Sequence, residues 1–486
     1  MSINCKIIIR DEVNVKIEGL DLDTRKSLVK KFKYFDQKAR YLPAYKLGRW
    51  DGCTSFFGLG GTTYMSMLPE VIQELISQGY DPLVEDLRVP LALNFTKISE
   101  DYWGDQTWPV GHRFAGEKIR LRDDQVEVVN KFLENPQCIQ EIATGFGKTI
   151  TTATLSKICE KYGRTITIVP NKSLVEQTEE DFINCKLDVG VYYGDRKDLG
   201  KTHTICTWQS LNILEKKSQD NYNSLDLATF LDGVNCVMVD EVHMAKADVL
   251  KKLLTNYMAN APIRWGLTGT VPKDDIDFQN IKAGLGEVVH TVKAHELQEK
   301  GVLSNCHVNI LQTSEWKEFK SYPEELKYLV TDETRMNNIS KLIKTISEGG
   351  NTLVLVDRIE SGRIICSNIE DSVFISGEVK TKDRKEEYDE VATADKKIIV
   401  ATYGVAAVGI NIPRIFNLVL LEPGKSFVRV IQSIGRGIRK ADDKDFVQIW
   451  DVTATTKYAK KHLTERKKFY KEAKYPFNIE KIDWQK

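Results

Sequence analysis

Two successive series of short apolar runs alternate with helical segments, and no other feature of this chain restricts its fold as strongly. The first series lies at 138–142, 165–169, 203–206, 235–239 and 264–267. The second lies at 351–356, 372–375, 397–401, 416–421 and 446–450. Strands separated by helices form βαβ units, whose helices cover both faces of a parallel sheet and leave its strands apolar. The expectation is an α/β chain with two tandem doubly wound parallel-sheet domains, at 119–305 and 306–452.

Outside these series, residues 1–90 read as a small α+β domain. Strands are expected at 3–9 and 13–17, a basic amphipathic helix at 22–35, and a hairpin turned by Asp51-Gly52. A second helix near 69–77 and a turn at 79–82 close that domain. Residues 91–118, with Trp103 and Trp108, read as a connector, and 453–486 as a basic helical tail.

Net charge is zero over 486 residues, which argues against a generally basic nucleic-acid coat. The cations are concentrated locally. Arg25, Lys26, Lys30, Lys31, Lys33, Lys38, Arg40, Lys46 and Arg49 face only Asp36 between 24 and 50, and the tail is also basic. One-sided charge of this kind binds phosphates. Lys30, Lys31 and Arg49 are the candidate DNA contacts; Trp50 reads better as a core residue than as a base contact. The nine cysteines form no C-x-x-C pair and read as reduced, mostly buried thiols. The apolar run at the N-terminus is too short for a secretory signal, and no stretch approaches a membrane span, so an intracellular protein is expected.

Ala143-Thr144-Gly145-Phe146-Gly147-Lys148-Thr149 follows a strand and precedes a helix. Glycines, a lysine and a hydroxyl in that setting cradle nucleotide phosphates and magnesium. Val239-Asp240-Glu241-Val242-His243 places two carboxylates at the end of another apolar strand. Asp240 is suited to magnesium, with Thr149, and Glu241 to activating water. Gln432-Ser433-Ile434-Gly435-Arg436-Gly437-Ile438-Arg439 sets two arginines three apart, expected on one helical face, where they can meet charge on a transferred phosphoryl group. Gln432, Arg436 and Arg439 join Lys148, Asp240 and Glu241 as catalytic candidates. An ATP site divided between distant segments suggests two domains that close on the nucleotide.

Further segments fall in the order of a motif series, and with them the chain resembles the superfamily 2 helicases from about Leu121 to Val452. The resemblance implies RecA-like domains and an ATP- and Mg2+-dependent motor. By it, Arg122 and Gln125 read adenine, while Thr144, Gly145, Gly147, Lys148 and Thr149 hold phosphate. Lys172, Ser173, Gln209 and Thr402 form a nucleic-acid track, with helix capping the competing role for Ser173. Thr268 and Thr270 couple nucleotide state to grip. The segment 353–357 fits motif IV, and Gly409 and Asn411 belong to a ribose-contacting motif V in which Asn411 stands where aspartate is common. Ser433 likewise stands in place of an arginine.

The small basic N-terminal domain beside Asp240-Glu241-Val242-His243 is similar to a phage-encoded branch of that family. This likeness implies remodelling of branched DNA, with duplex, single-stranded and RNA–DNA hybrid partners: fork regression, Holliday junction branch migration and R-loop unwinding. It implies recombination, repair and replication control in a host cytoplasm, by a monomeric protein that binds no membrane. An RNA helicase and a nuclease-linked restriction-type motor, with Asp371, Glu378 and Lys380 as nuclease candidates, are the competing readings.

Overall fold

The computed structural model describes residues 3–112, 114–220, 225–244, 247–272, 275–376, 394–409, 412 and 414–484. The chain divides into two compact units, residues 1–142 with 147–291, and residues 292–486 with 143–146. All nine cysteines are free thiols, and no described helix is long and apolar enough to cross a membrane.

The first unit begins with a four-stranded sheet in the order Thr62–Tyr64, Asn14–Glu18, Ile3–Ile9, Tyr80–Asp86. The expected turn at 79–82 is confined to Gly79 (φ +87°), and from Tyr80 the chain already forms the last strand, which runs parallel to Ile3–Ile9. Pro82 hides this strand in the sequence; it is tolerated because the strand is at the sheet edge, where a missing N–H need not cost a ladder bond. Helices Leu22–Lys31 and Leu68–Ser77 supply Leu28, Leu68, Val71 and Leu75 to the core of this sheet. Asp51-Gly52 does not turn a hairpin. The strands that pair, Lys33–Phe35 and Cys53–Ser55, are separated by the whole segment 36–52.

This small domain is fused to the α/β domain that follows it. Ile276 and Ala283 of the helix Asp275–Leu285 belong to the same buried cluster as Ile7, Leu28 and Phe56. Asn14 Nδ2 donates to the Thr255 carbonyl (2.8 Å), the Glu12 N–H donates to the Ala259 carbonyl (2.9 Å), and Lys38 pairs with Asp277 (2.7 Å). The connector also packs inward: Trp103 is buried and its indole N–H donates to Thr154 Oγ1 at 3.2 Å.

The large sheet of the first unit has eight strands in the order Arg196–Lys197, Val189–Tyr193, His203–Thr207, Arg164–Val169, Val234–Asp240, Ile263–Thr268, Gln137–Ile142, Glu287–Val292. The second unit has seven parallel strands in the order Ser372–Ile375, Ile398–Thr402, Thr352–Val356, Asn417–Leu421, Phe446–Ala454, Asn305–Thr313, Phe477–Ile482. Each unit therefore carries the expected mainly parallel sheet, with Arg196–Lys197 an antiparallel edge strand in the first. The segment 453–486 contributes more than a helix. Phe446–Ala454 runs into it, Lys457–Glu472 forms the helix, and Phe477–Ile482 adds an edge strand. Arg466 of that helix is buried and donates to both oxygens of buried Asp451 (2.8 and 2.9 Å), with the Tyr470 hydroxyl at 2.7 Å.

Candidate nucleotide and nucleic-acid sites

In the first unit the strand Gln137–Ile142 leads through 143–147 into the helix Lys148–Cys159. Gly145 and Gly147 have φ of +87° and +91°, in the left-handed region that strains residues with a Cβ. A Cβ on Gly147 would lie 2.7 Å from Gln125 Nε2, so the loop passes Gln125 only as glycine. Gln125 is buried and accepts from the Arg122 backbone N–H (3.1 Å), while Arg122 Nε donates to Asp124 (3.0 Å). Arg122, Gln125 and the end of the phosphate loop are thus one assembly. Thr149 faces Asp181, whose carboxyl burial pushes up to about 6, with Glu180 adding to the rise and the Thr149 hydroxyl opposing it.

Asp240 and Glu241 stand where the strand Val234–Asp240 ends, the edge at which parallel sheets bind ligands. Lys148 Nζ lies 2.5 Å from Glu241 Oε1 and 3.8 Å from Asp240 Oδ1. Burial raises the Asp240 carboxyl to about 6, against the pull of Lys148 and with the push of Glu241. Glu241 has φ of +49°, uncommon for a residue with a side chain. Its N–H donates to Asp240 Oδ1 (2.8 Å), and its Oε2 accepts from the Gly269 N–H (3.4 Å).

Thr268 and Thr270 join this acid pair through His243. The Thr268 hydroxyl donates to the Thr270 carbonyl (2.7 Å) and so accepts from His243 Nδ1 (2.7 Å), which fixes the proton on that nitrogen. His243 also lies 3.6 Å from Glu241, and burial lowers its pKa, so it is a neutral donor. The sequence reading leaves His243 without a role; its position two residues after Glu241 is the signal that could have assigned one.

Along the expected track, Asn171 caps the helix Lys172–Asn184 by accepting from the Leu174 N–H (3.0 Å), so Ser173 in the first turn is not the cap. Lys172 is exposed and 3.7 Å from Glu176. Gln209 donates to the Pro170 carbonyl (2.9 Å) and leaves its buried Oε1 without a hydrogen-bond partner. Among the N-terminal cations, Lys31 pairs with Glu74, whereas Lys30 and Arg49 are exposed. Trp50 is half-buried and donates to the Cys53 carbonyl (2.9 Å); it braces the segment 36–52 rather than filling a core.

In the second unit Thr402 closes the strand Ile398–Thr402 and accepts from the Val405 N–H (3.4 Å), capping the helix Tyr403–Gly409 that ends at Gly409. Asp357 pairs with Arg429 (2.6 Å), whose guanidinium lies 5.2 Å from the Tyr403 ring centre, so the segment 353–357 and the helices Tyr403–Gly409 and Phe427–Gly437 meet there. Gln432 is buried in the helix Phe427–Gly437. Arg436 and Arg439 are not both in the helix. The helix stops at Gly437, capped by the Ile438 N–H on the Ile434 carbonyl (3.0 Å), and Arg439 lies beyond it, bridged to Leu303. Buried Lys444 donates to the Gly437 carbonyl (2.8 Å) at that helix end, and burial pushes its pKa down to about 7. Asn411, Glu378, Lys380 and the side chain of Arg436 lie outside the described residues.

Residues 118–273 match the family described as type III restriction enzyme, res subunit, and 334–441 the helicase conserved C-terminal domain. The chain is also 24% identical over 453 residues to the ATP-dependent DNA helicase uvsW of Enterobacteria phage T4, covering 88% of this chain and 87% of that protein. The chain belongs to the superfamily 2 helicases. Two solved structures share the fold. The type ISP restriction-modification enzyme LlaBIII bound to DNA is 14% identical with a TM-score of 0.57, covering 86% of this chain and 36% of its own. S. cerevisiae Dbp5 bound to RNA and ADP BeF3 is 13% identical with a TM-score of 0.54, covering 75% and 90%. As a superfamily 2 helicase the chain is an ATP-dependent enzyme, and the matched spans contain the phosphate loop, the acid pair and Arg436–Arg439.

Proposed function

We propose that this helicase is a DNA translocase that remodels branched nucleic acids by fork regression, junction branch migration and R-loop unwinding, in phage recombination, repair and replication control. DNA, branched, duplex or single-stranded, and RNA–DNA hybrids are its partners, and a monomer inside a host cell is its working form. Arg122 and Gln125 recognise the adenine. Thr144, Gly145, Gly147 and Lys148 hold its phosphates, and Gly409 and Asn411 the ribose. Asp240 and Thr149 would hold Mg2+, which supplies charge neutralisation on the phosphates. Glu241 accepts the proton of the attacking water, and Arg436 and Arg439 stabilise charge on the departing phosphoryl group, with Gln432 orienting them. Lys172, Ser173, Gln209 and Thr402 track the phosphodiester backbone, while Lys30 and Arg49 hold the duplex.

One observation carries the motor reading. Lys148, Glu241 and the Gly269 N–H form a continuous chain of hydrogen bonds, with His243 packed 3.6 Å from Glu241 and donating to Thr268, so a change at the phosphates reaches 268–270. The branched-DNA reading is supported by the similarity to the phage T4 DNA helicase and by the cationic small domain, fused to the motor through Ile276 and Ala283. ATPase rates on single strands, duplex, fork, four-way junction and R-loop, with Glu241→Gln as control, test it. Forks and junctions should stimulate most. Equal rates with and without any DNA would overturn the motor, and equal rates on branched and unbranched DNA would overturn the substrate choice.

A further inference from the structure

Between the paired strands Lys33–Phe35 and Cys53–Ser55 the chain builds a knob that its own core does not need. Residues Gln37–Tyr41 form a 3-10 turn and Pro43–Lys46 a short helix. The knob is ordered from beneath. Ala39 is fully buried, Phe35 and Tyr45 meet edge to face at 5.7 Å, and Asp36 caps the first turn at the Lys38 N–H (2.8 Å). Gly52 closes it with φ of +77°, where a Cβ would lie 2.6 Å from Phe35. What the knob turns outward is apolar: Tyr41 is 80% exposed, Leu47 63% and Leu42 44%. Between Gln37 and Trp50 there is no acidic residue, and Arg40, Lys46 and Arg49 are exposed among these side chains.

A fixed apolar tip is costly to leave in water unless something covers it. The cations around it select a partner that is apolar on its face and anionic at its margin. A terminal base pair, with a π surface bounded by two phosphate chains, has that character, and aromatic side chains stack on bases irrespective of sequence. We infer that residues 36–52 are a stacking knob that seats on the exposed base pair where a duplex opens at a branch. Tyr41, with Leu42 and Leu47, covers the base pair, and Arg40, Lys46 and Arg49 hold the flanking phosphates. Because the domain is fused to the first motor domain, the knob moves with the ATP-driven stroke and splits or re-pairs bases as the duplex is drawn past it.

The inference rests on the DNA-remodelling reading above, and ATPase stimulation of the wild-type chain by forks tests that reading by itself. The knob is tested by anisotropy with two fluorescent DNAs of equal phosphate number, a fork and a dumbbell duplex closed at both ends. Tyr41→Ala with Leu47→Ala should weaken fork binding about tenfold, as loss of a base stack does, and leave dumbbell binding unchanged. The slope of log affinity against log salt should stay constant. Tyr41→Trp should bind forks as the wild type does. Lys46→Ala with Arg49→Ala should weaken both DNAs and reduce the salt slope by about 1.8, the value for two phosphate contacts. Unchanged fork binding in the Tyr41/Leu47 variant, an equal loss on the dumbbell, or failure of Tyr41→Trp to bind would each overturn the knob. Tyr41 and Leu47 are mostly exposed, so thermal melting of their variants should match the wild type and exclude misfolding.

Discussion

Lys148 cannot pair with Glu241 and with nucleotide phosphates at once, and this competition predicts the behaviour of Glu241→Gln. The ammonium lies 2.5 Å from Glu241 Oε1, with both side chains about nine-tenths buried. A hydrogen bond to a charged group contributes roughly 1.5–3 kcal/mol, and one between neutral groups about 0.5–1.5. Neutralising Glu241 therefore frees Lys148 by about 1–1.5 kcal/mol, or roughly five- to tenfold in ATP affinity. Asp240→Asn removes the same charge from the site, but Asp240 lies 3.8 Å from the ammonium, outside hydrogen-bond range. Its effect should be the smaller one. Equilibrium titration with a fluorescent ATP analogue in EDTA measures both variants without magnesium. Glu241→Gln should bind more tightly than wild type and than Asp240→Asn, and should lose hydrolysis by about 10²–10⁴ when magnesium is restored. Equal tightening in the two variants would mean that simple charge repulsion operates, and the paired-lysine argument would be refuted.

Three further outcomes are expected. Arg466→Met leaves the buried Asp451 carboxylate unpaired and should destabilise the second unit by about 3–5 kcal/mol in urea, with Asp451→Asn/Arg466→Met recovering most of the loss. Lys444 has a folded pKa lowered to about 7, so between pH 7 and the usual lysine range the unfolded chain holds the extra proton and stability rises with pH. Wild type should gain on Lys444→Met by up to about 1.4 kcal/mol per pH unit from pH 7 to 9, facing Asp443 and Arg439 as the charged neighbours, and a pH-independent difference would contradict this. His243→Ala removes the donor to Thr268 and should reduce the ratio of DNA-stimulated to unstimulated ATPase by roughly tenfold, measured by phosphate release.

What the sequence displays and what it hides follow from burial. The runs at 138–142, 235–239 and 264–267 are legible because strands covered on both faces must be apolar, and their ends are where Lys148, Glu241 and Thr268 stand. Asn305–Thr313 escapes the same reading although it lies between two strands. Its polar positions are satisfied sideways, His307 on Asn478 (2.7 Å) and Asn309 on Gln448 (2.8 Å), so polarity there reports a neighbour rather than solvent. Phe477–Ile482 is hidden for the opposite reason, being an edge strand mostly open to water. The arginine spacing misleads because periodicity says nothing of where a helix stops, and Gly437 with buried Lys444 ends it before Arg439.

The knob shows the limit of pattern reading from another side. Tyr41, Leu42 and Leu47 look like core residues in one dimension, and Asp51-Gly52 looks like a hairpin turn. Only the pairing of Lys33–Phe35 with Cys53–Ser55 shows that the apolar side chains face water while Ala39 and Phe35 form the base. The residues proposed to bind ATP belong to segments that motors of many kinds share, so they cannot specify a substrate. Selectivity must come from elements that do not repeat across the fold, and in the first unit the small N-terminal domain is such an element. Its contacts with Thr255, Ala259 and Ile276 fix it to the sheet that carries Lys148 and Glu241, so a base pair held at Tyr41 and a phosphate held at Lys148 would share one rigid frame.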